Sequence, residues 1–211
     1  MISLLCPTRA RPKQCLRMIE SAYETAGCDI EILVARQRDD TTEYDRRIQS
    51  MMVPNWSTVM SWNWLATQAS GELLMLAADD MYFKTQGWGT DIEEHYNSLG
   101  DKRHVYHLRD SRDASGTPHP IVSREWMDCL GYFIPPIFFH WYCDTWTVNQ
   151  AKETGKFTHL DNFILVHDKP SDTGHGDATH NGIRNAGWPA RDKFVNDTCK
   201  RFYELEKERL K

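Results

Sequence analysis

The 211-residue sequence lacks any apolar run long enough to cross a bilayer. Its longest apolar stretches, residues 73–78 and 131–139, fall well short of the roughly 20 residues that a membrane-spanning helix needs. The apolar residues 2–6 follow the first methionine without the positive charges that open a secretory signal. We therefore expect no membrane span and a cytoplasmic location.

Closely spaced cysteines are also missing. The six cysteines lie far apart and none forms a Cys-x-x-Cys pair, which argues against a zinc knuckle and against a dense disulfide framework. Reduced thiols, packed as small hydrophobic side chains, are the expected state. The cysteines are Cys6, Cys15, Cys28, Cys129, Cys143 and Cys199.

An excess of positive charge is absent as well. The formal net charge is -5, which argues against a protein that coats nucleic acid non-specifically but leaves room for a local basic groove. Hydrophobic residues make up 40% of the chain and charged residues 26%, which is typical of a folded domain. The length fits a single domain over residues 1–211.

Short apolar runs alternate with helical periodicity along the first half of the chain. Residues 2–6 and 31–35 read as strands, and apolar side chains recur at helical spacing between them until Gly27. This order predicts a βαβ unit with parallel strands and a right-handed crossover. A second helix, with Trp56, Met60 and Trp64 on one face, precedes the apolar strand 73–78. The predicted fold class is α/β.

The second half predicts further helices and strands with two less regular segments. Residues 171–188 lack hydrophobic periodicity and predict a mobile loop. Residues 189–211 predict an amphipathic terminal helix whose apolar face carries Val195, Phe202 and Leu205. The other predicted elements are a helix within 87–100, a strand at 104–108, a short helix capped by Ser123, a helix from Asp144 to Gly155 and a strand at 163–166.

Two consecutive acids, Asp79 and Asp80, end the apolar strand 73–78. Ligands bind at the carboxyl ends of strands in open α/β sheets. Carboxylates held there can bind a hard cation such as Mg²⁺ or Mn²⁺, which neutralises the charge of a departing diphosphate. An Asp-Asp pair at such a place also fits a simple turn that caps the next helix.

The order of short motifs resembles glycosyltransferase family two and related GT-A enzymes, small cytosolic examples of which phages encode. That family has Pro-Thr-x-x-Arg, later Arg-Asn, then Ala-x-Gly-Glu, an apolar strand and a DXD-like acidic motif. The resemblance covers about residues 1–170 and departs from the pattern at Trp62 and Ala78, where the family often has Arg and Asp. The matching segments are Pro7-Thr8-Arg9-Ala10-Arg11, Trp62-Asn63, Ala69-Ser70-Gly71-Glu72 and Ala78-Asp79-Asp80.

The resemblance implies a GT-A-like, Rossmann-like mixed sheet flanked by helices. Residues 1–100 would form the nucleotide-sugar-binding half and residues 101–170 the acceptor and catalytic half. Asp80 is implied as a ligand of Mn²⁺ or Mg²⁺, and Asp39 or Asp40 as a contact to the base or ribose, although both also fit a polar turn. The residues implied to bind the nucleotide sugar are Pro7, Thr8, Arg9, Asp39, Asp40, Asn63 and Asp79.

The same resemblance places the acceptor chemistry around Asp144. An inverting transfer needs a base that removes the acceptor proton, and Asp144 occupies the matching position before a helix. Asp is also a preferred helix N-cap, so a structural reading of Asp144 stays open. Trp141, Tyr142 and Trp146 surround it and are expected to stack on the acceptor, although aromatic residues at helix starts also build cores.

A late histidine completes the implied site. His167 ends the last predicted strand, where GT-A enzymes often supply an additional metal ligand, and an imidazole ligand favours Mn²⁺ over Mg²⁺. A lone histidine at a strand end also has a structural reading. Lys169 is expected to contact the diphosphate, and the Gly-rich segment with His175 and His180 is read as a lid or as a solvated loop.

The sequence therefore predicts an inverting, metal-dependent glycosyltransferase of the hexosyl or pentosyl type, with a UDP-sugar as the expected donor. The expected acceptor is a glycan or a hydroxymethylated base in DNA. One alternative, a sugar-phosphate nucleotidyltransferase, needs a Gly-rich phosphate loop, and residues 7–13 contain no glycine. The other alternative is a non-catalytic module that binds a nucleotide sugar or glycan.

Overall fold

The computed structural model describes residues 1–111, 118–168 and 178–211, and within them eight strands form one mixed sheet. The strands are β1 (Ile2–Thr8), β2 (Ile30–Gln37), β3 (Ser50–Val53), β4 (Leu73–Leu76), β5 (Met81–Phe83), β6 (Val105–Asp110), β7 (Ile121–Ser123) and β8 (Phe157–His167). Their order across the sheet is β3-β2-β1-β4-β7-β6-β8-β5. The predicted α/β class with a mixed sheet is confirmed.

The first four strands run parallel to one another. β1 pairs with β2 and with β4, and β2 pairs with β3. Because parallel strands need a crossover, a helix connects each consecutive pair except β2 and β3. The carboxyl ends of β1, β2 and β4 consequently meet at one edge of the sheet, as the βαβ pattern predicts.

The other half of the sheet changes direction at β7. This strand is antiparallel to β4 and β6, while β6 and β8 are parallel to each other. A register shift between Leu108 and Arg109 bends the β6–β8 pairing, and the short β5 adds an antiparallel edge to β8. The ends of β6 and β8 thereby approach the end of β4.

Helices cover both faces of the sheet, and each face has its own hydrophobic core. The helices are α1 (Pro12–Thr25), α2 (Thr58–Gln68), α3 (Trp88–Ser98), α4 (Arg124–Leu130), α5 (Cys143–Glu153), α6 (Ala178–Asn185), α7 (Trp188–Thr198) and α8 (Lys200–Leu210). One core packs α2, α4, α5 and α8 against the sheet and includes Trp62, Trp126 and Trp146. The other core packs α1 and α3 against the sheet and includes Met18 and Trp88.

Helix starts agree with the sequence in one case and differ in another. Ser123 caps α4, since its hydroxyl accepts a hydrogen bond from the backbone N–H of Trp126, as predicted. The N-cap of α5 is Tyr142 in the left-handed region with φ 67°, so Asp144 lies in the first turn and is not the cap. The predicted cap role of Asp144 is wrong.

The C-terminal segment also differs from the sequence prediction. Residues 171–188 were expected to form a loop, but α6 occupies Ala178–Asn185, and the single terminal helix expected over 189–211 is divided into α7 and α8. On α8 the buried side chains are Glu206 and Leu210, while Leu205 is 58% exposed. The predicted apolar face is therefore turned partly toward solvent.

The inner face of α2 is likewise rotated relative to the prediction. Met60 is exposed, whereas Trp62 is buried and its indole N–H donates to the carbonyls of Leu5 and Ala77. The six cysteines are free. No helix in the described part of the chain combines the length and the apolar character that a membrane crossing requires.

Candidate active site

A cleft of about 1120 Å³ opens at the sheet edge where β1, β2 and β4 end. Loops after parallel strands collect at this edge, which explains why residues distant in sequence share the cleft. Helix α6 and the first residue of α7, Trp188, form a further wall. The predicted site residues that line the cleft are Pro7, Thr8, Arg9, Asp39, Asp40, Asp79, Asp80, Trp141, Tyr142, Asp144 and His167.

The acid pair at the end of β4 forms the floor of the cleft. Asp79 accepts a hydrogen bond of 2.7 Å from the hydroxyl of Thr8, at the end of the neighbouring β1. One guanidinium nitrogen of Arg11, Nη1, lies 2.8 Å from Asp79 Oδ1 and 3.1 Å from Asp80 Oδ2. All three charged side chains are buried, so their charges balance one another with little screening by solvent. Arg11 was not predicted as a site residue.

The two acids have opposite pKa shifts. Burial raises the pKa of Asp79 to about 6, against the pull of Arg11, and the charge of Asp80 adds to the rise. Burial also acts to raise the pKa of Asp80, but hydrogen bonding to His167 and the nearby positive charges lower it to about 2. Asp80 is thus the more firmly ionised acid, which suits the cation ligand that the sequence predicts.

His167, at the end of β8, faces Asp80 across the cleft floor. Its Nε2 lies 3.3 Å from Asp80 Oδ1, and the backbone N–H of Asp168 donates to the carbonyl of Asp80 at 2.7 Å. On the other side of the ring, Nδ1 lies 3.5 Å from Asp110 Oδ2. Burial lowers the pKa of His167, but hydrogen bonds to Asp110 and Asp80 outweigh this and raise it to about 9.

A second histidine, His119, adjoins His167. Its Nε2 lies 3.4 Å from His167 Nδ1, and its backbone adopts the left-handed region with φ 56°. Burial lowers the pKa of His119 to about 3, and the charge of His167 adds to this, so His119 is neutral. His119 was not among the predicted site residues. Asp110 was also missed, although it ends β6 next to the parallel β8.

These donors fit a divalent cation. Ligand atoms of Asp110, His119 and His167 all lie within 4.8 Å of one another. Asp80 lies on the other side of the His167 ring, beside Nε2. Two ligand atoms about 2.1 Å from one ion lie roughly 3 Å apart, which matches the separation of Asp80 Oδ1 and His167 Nε2. A mixed carboxylate and imidazole set favours Mn²⁺ over Mg²⁺. Asp110 Oδ2 lies beside Nδ1 of His167, where a carboxylate can orient an imidazole whose other nitrogen faces the cation.

Arg9 and Asp39 form an exposed bidentate ion pair across the ends of β1 and β2. The distances are 2.5 Å for Nη1 to Oδ1 and 2.9 Å for Nη2 to Oδ2. Hydrogen bonding to Arg9 lowers the pKa of Asp39. Because an exposed pair of this kind contributes little stability, both side chains can turn to a ligand at small cost.

Asp40, unlike Asp39, has a structural role. Its carboxylate accepts hydrogen bonds from the backbone N–H of Ala10 at 3.1 Å, the N–H of Thr42 at 3.0 Å and the hydroxyl of Tyr44 at 2.9 Å. It therefore ties the loop after β1 to the loop after β2. The predicted direct contact of Asp40 with the base or ribose does not fit these occupied oxygens, and Asp39 is the better candidate.

Asn63 lies away from the cleft wall. Its amide donates to the carbonyls of Val59 and Ile134, and its oxygen accepts from the N–H groups of Phe133 and Ile134. The side chain thus fastens α2 to the segment before α5, and its predicted contact with the nucleotide sugar is not supported by this position.

The predicted acceptor residues are divided between cleft and core. Trp141, Tyr142 and Asp144 line the cleft. Trp146 is buried, donates its indole N–H to Glu206 at 2.9 Å and packs edge-on against Tyr203. Its predicted stacking on the acceptor is therefore wrong, because one helical turn carries it from the cleft into the core.

Other residues of the cleft had no functional assignment in the sequence. His140 stacks on Trp62 with an interplanar angle of 15°. Arg184 and Trp188 reach the cleft from the C-terminal helices. The hydroxyl of Thr179 on α6 donates to the carbonyl of Arg9 at 2.8 Å, which fixes this wall to the loop after β1. Lys169 and His175 lie outside the described residues.

The structure is similar to several glycosyltransferases of known structure. S. aureus TarS 1-349 matches with a TM-score of 0.61 at 12% identity over 82% of this chain and 61% of that one, and it also matches in complexes with UDP and with UDP-GlcNAc. Mannosyltransferase PcManGT from Pyrobaculum calidifontis, in complex with GDP-Man and Mn²⁺, matches with 0.64 at 15% over 90% and 62%. The catalytic domain of Drosophila beta1,4galactosyltransferase 7 matches with 0.52 at 14% over 76% and 65%.

These similarities concern the fold. At 15% identity or less they show that the chain has the GT-A type of fold that the sequence motifs imply, and that prediction is confirmed. The chain spans about three fifths of the length of the TarS fragment and of PcManGT. No protein-family model and no curated protein matches the sequence.

Proposed function

We propose that this chain is a metal-dependent glycosyltransferase that moves a hexose or pentose from a nucleotide sugar to a hydroxyl group with inversion. The observation that carries the proposal is the meeting of Asp80 and His167, 3.3 Å apart, on the floor of a cleft in a GT-A fold. A carboxylate and an imidazole from different strands at the carboxyl edge of a sheet are suited to a diphosphate-bound cation.

The donor would lie between the ends of β1, β2 and β4. Arg9 and Asp39 line this part of the cleft and would contact the base and ribose, and Pro7 and Thr8 line it as well. A UDP-sugar is the expected donor, and the matching TarS complexes with UDP and UDP-GlcNAc support that choice. The GDP-Man complex of PcManGT keeps a guanine nucleotide as the second donor to test.

The diphosphate would lie over the acid pair. Asp80 and His167 would hold Mn²⁺ or Mg²⁺, and the bound ion would offset the negative charge of the departing nucleotide diphosphate. Arg11 already balances the two acids, so it must shift when the cation enters, and the diphosphate is the anion it can then contact. Arg184, on the cleft wall, is a second cation within the described residues that can face the phosphates. Lys169 remains a candidate for the same task.

Transfer also requires a base on the acceptor side. Asp144 lines the cleft at the start of α5, and its Oδ1 accepts the N–H of Thr145 at 2.7 Å, which orients the carboxylate. In the proposed mechanism Asp144 removes the proton of the attacking hydroxyl while the sugar leaves the diphosphate on the opposite face. An inverting transfer needs this arrangement, since a single displacement attacks from the side opposite the leaving group.

The acceptor would rest on the aromatic wall. Trp141, Tyr142 and Trp188 line the same side of the chain's cleft as Asp144, and flat rings of this kind stack on sugar faces or bases. We propose a glycan as the acceptor, in line with the negative net charge of the chain. A hydroxymethylated base in DNA is the second acceptor to test. We also propose that the chain is related to glycosyltransferase family two and to phage enzymes of this type.

The proposal is tested by donor binding and transfer. Calorimetry with UDP and GDP, each with and without Mn²⁺, should show a nucleotide that binds only with the cation. UDP-glucose and UDP-GlcNAc, offered with p-nitrophenyl glycosides or with hydroxymethylated DNA, should then yield a glycosylated product of inverted configuration. Cation-dependent binding without any transfer or hydrolysis would favour a binding module, and release of pyrophosphate from UTP and a sugar phosphate would favour a nucleotidyltransferase.

A further inference from the structure

A fully buried carboxylate on α7, that of Asp192, holds three consecutive backbone N–H groups. Oδ1 accepts from Phe139 at 2.9 Å, and Oδ2 accepts from His140 at 2.8 Å and from Trp141 at 3.0 Å. The side chain is 0% exposed. Residues 137–142, which precede α5, thus form a concave backbone surface that is closed around one anion.

The three N–H groups and the buried carboxylate of Asp192 stabilise each other. A buried carboxylate is costly unless several donors point at it, and successive N–H groups in a turn form an anion-binding concavity. Segment 137–142 belongs to no helix or strand, so its N–H groups have no ladder to enter. The conformation of the segment therefore depends on a side chain that lies some fifty residues later in the chain.

Neighbouring residues of α7 strengthen the same contact. Arg191 donates to the carbonyl of Ile137 at 2.9 Å and to Asp192 Oδ1 at 2.8 Å. Its guanidinium carbon lies 3.6 Å from the centre of the Phe139 ring, and Trp188 packs edge-on against that ring at 5.6 Å. The start of α7 therefore contacts both the backbone of the segment and the aromatic ring of Phe139.

Segment 137–142 carries one wall of the cleft. His140, Trp141 and Tyr142 line it, and the left-handed backbone of Tyr142 leads directly into α5 and Asp144. A shift of the backbone at residues 139–141 would move the aromatic wall and the carboxylate together. Asp192 touches neither the cleft nor the acid pair, so its influence is confined to the acceptor side.

We propose that Asp192 is a positioning residue, which sets the acceptor wall of the cleft by holding segment 137–142. This inference rests on the proposed function, because it assigns the acceptor side to that segment. Its consequence is a separation of effects: losing the Asp192 carboxylate should impair acceptor use while leaving the binding of nucleotide and cation intact.

The test compares Asp192→Asn with Asp197→Asn. Asp197 lies on the same helix, is exposed, and pairs with Lys193 at 2.7 Å, so it is a matched control for the same chemical change. In Asp192→Asn the amide NH₂ meets at least one backbone N–H, and that hydrogen bond is lost. We expect transfer to a p-nitrophenyl β-glucoside to fall at least about tenfold, with a raised acceptor KM, while Kd for UDP with Mn²⁺ stays within about twofold.

Hydrogen exchange supplies a readout that does not need activity. The amides of Phe139, His140 and Trp141 should exchange at least about tenfold faster in Asp192→Asn than in Asp197→Asn. Native exchange at these three amides, or faster exchange with unchanged transfer kinetics, would overturn the proposal. If Asp192→Asn does not fold, Arg191→Lys tests the same contact between α7 and the segment. It should show faster amide exchange and a raised acceptor KM, both to a smaller degree.

The two proposals fail in different ways. If the native protein transfers no sugar to any acceptor offered, the glycosyltransferase assignment is wrong, yet the exchange rates still decide whether Asp192 holds the segment. If transfer occurs and Asp192→Asn leaves acceptor KM and kcat unchanged, only the role of Asp192 is rejected.

Discussion

Nε2 of His167 lies 3.3 Å from Oδ1 of Asp80, although the two residues are far apart in the sequence: His167 ends β8, and Asp80 directly precedes β5, the antiparallel partner of β8. The backbone hydrogen bond from Asp168 to Asp80 adjoins this pairing and keeps the two side chains close together. This separation defines the place where a cation and a diphosphate would enter, and the first prediction concerns it.

Replacing Asp80 with Asn should weaken cation-dependent UDP binding by roughly 10- to 100-fold or more, because one anionic ligand becomes neutral. Calorimetry with UDP at saturating Mn²⁺ measures this loss. Asp128→Asn, an exposed change on α4 outside the cleft, serves as the control and should bind like the native protein. Native UDP–Mn²⁺ affinity in Asp80→Asn would refute the metal assignment.

Replacing Asp144 with Asn should leave UDP–Mn²⁺ affinity within about twofold and reduce kcat for transfer by roughly 10²- to 10⁴-fold. The amide has nearly the same shape but cannot take a proton. Steady-state transfer rates and calorimetry on the same preparation separate the two effects. Turnover close to native would show that another group, such as the neighbouring His140, takes the proton.

Replacing Arg11 with Met should destabilise the protein by about 3–5 kcal/mol, since it leaves the buried carboxylate of Asp79 without its cation and removes one of the two cationic partners of Asp80. Added Mn²⁺ should recover more of this loss than it adds to the native protein, because a bound ion replaces the missing charge. Thermal unfolding with and without Mn²⁺ measures both effects.

Arg17→Met is the matched control for Arg11. Arg17 lies on the same helix and pairs with Asp168 at 2.7 Å, but both side chains are more than 40% exposed. An exposed pair contributes about 0–1 kcal/mol, so Tm should change little and Mn²⁺ should have its native effect. An equal destabilisation of the two variants would mean that Arg11 does not balance the acids.

A buried glutamate far from the cleft should make stability depend on pH. Burial raises the pKa of Glu206 to about 8 from the ordinary 4.5. Between these two values the folded protein holds a proton that the unfolded chain has released, so the contribution of Glu206 to stability is fully present below pH 4.5 and is lost as pH rises to 8. The decline is at most about 1.4 kcal/mol per pH unit within this window.

Glu206→Gln should flatten this decline. The amide oxygen can still accept the hydrogen bonds from Trp146 and Gln150, and the amide has no proton to lose. Denaturant unfolding at pH 5, 6.5 and 8 measures the slope. Glu208→Gln, on the exposed side of α8, should keep the native slope. If the native protein and Glu206→Gln lose stability in parallel, the buried carboxyl is not the cause.

The sequence predicted the parallel half of the sheet because that half follows simple rules. β1 is apolar over residues 2–6 apart from Ser3, β4 is wholly apolar, α1 shows helical periodicity, and the two acids follow β4 after two alanines. Position at the carboxyl edge then placed both acids in the cleft. His167 was predicted from the family resemblance, which implies a late histidine after the last predicted strand, and in the structure it ends β8.

The rest of the fold depends on contacts that periodicity does not encode. β3, β5 and β7 have three or four residues each, too few for an alternating pattern to stand out. α6 is bounded by segments rich in turn residues, so its eight residues gave no clear helical signal. These short elements take their structure from the strands and loops against which they pack.

The roles of several site residues also depend on contacts that only the folded chain provides. Asp40 and Asn63 have side chains that suit a ligand, yet both are occupied by neighbouring backbone groups that only the folded chain provides. Arg11 belongs to the first family motif, but its pairing with the two acids could not be predicted, because its partners and those of Asp192 lie about fifty or more residues away. Burial with a specific partner distinguishes these roles, and sequence alone does not show it.

The ion-paired cluster on the cleft floor has a consequence for how ligands arrive. Opposite charges that already neutralise each other at 2.8 Å offer little long-range attraction to a lone cation or a lone anion. When a nucleotide and its cation enter together, the diphosphate can pair with Arg11 and the cation with Asp80, so that no buried charge loses its partner. Each should therefore tighten the binding of the other by the same factor, and the pair, rather than either ion, is what this surface recognises.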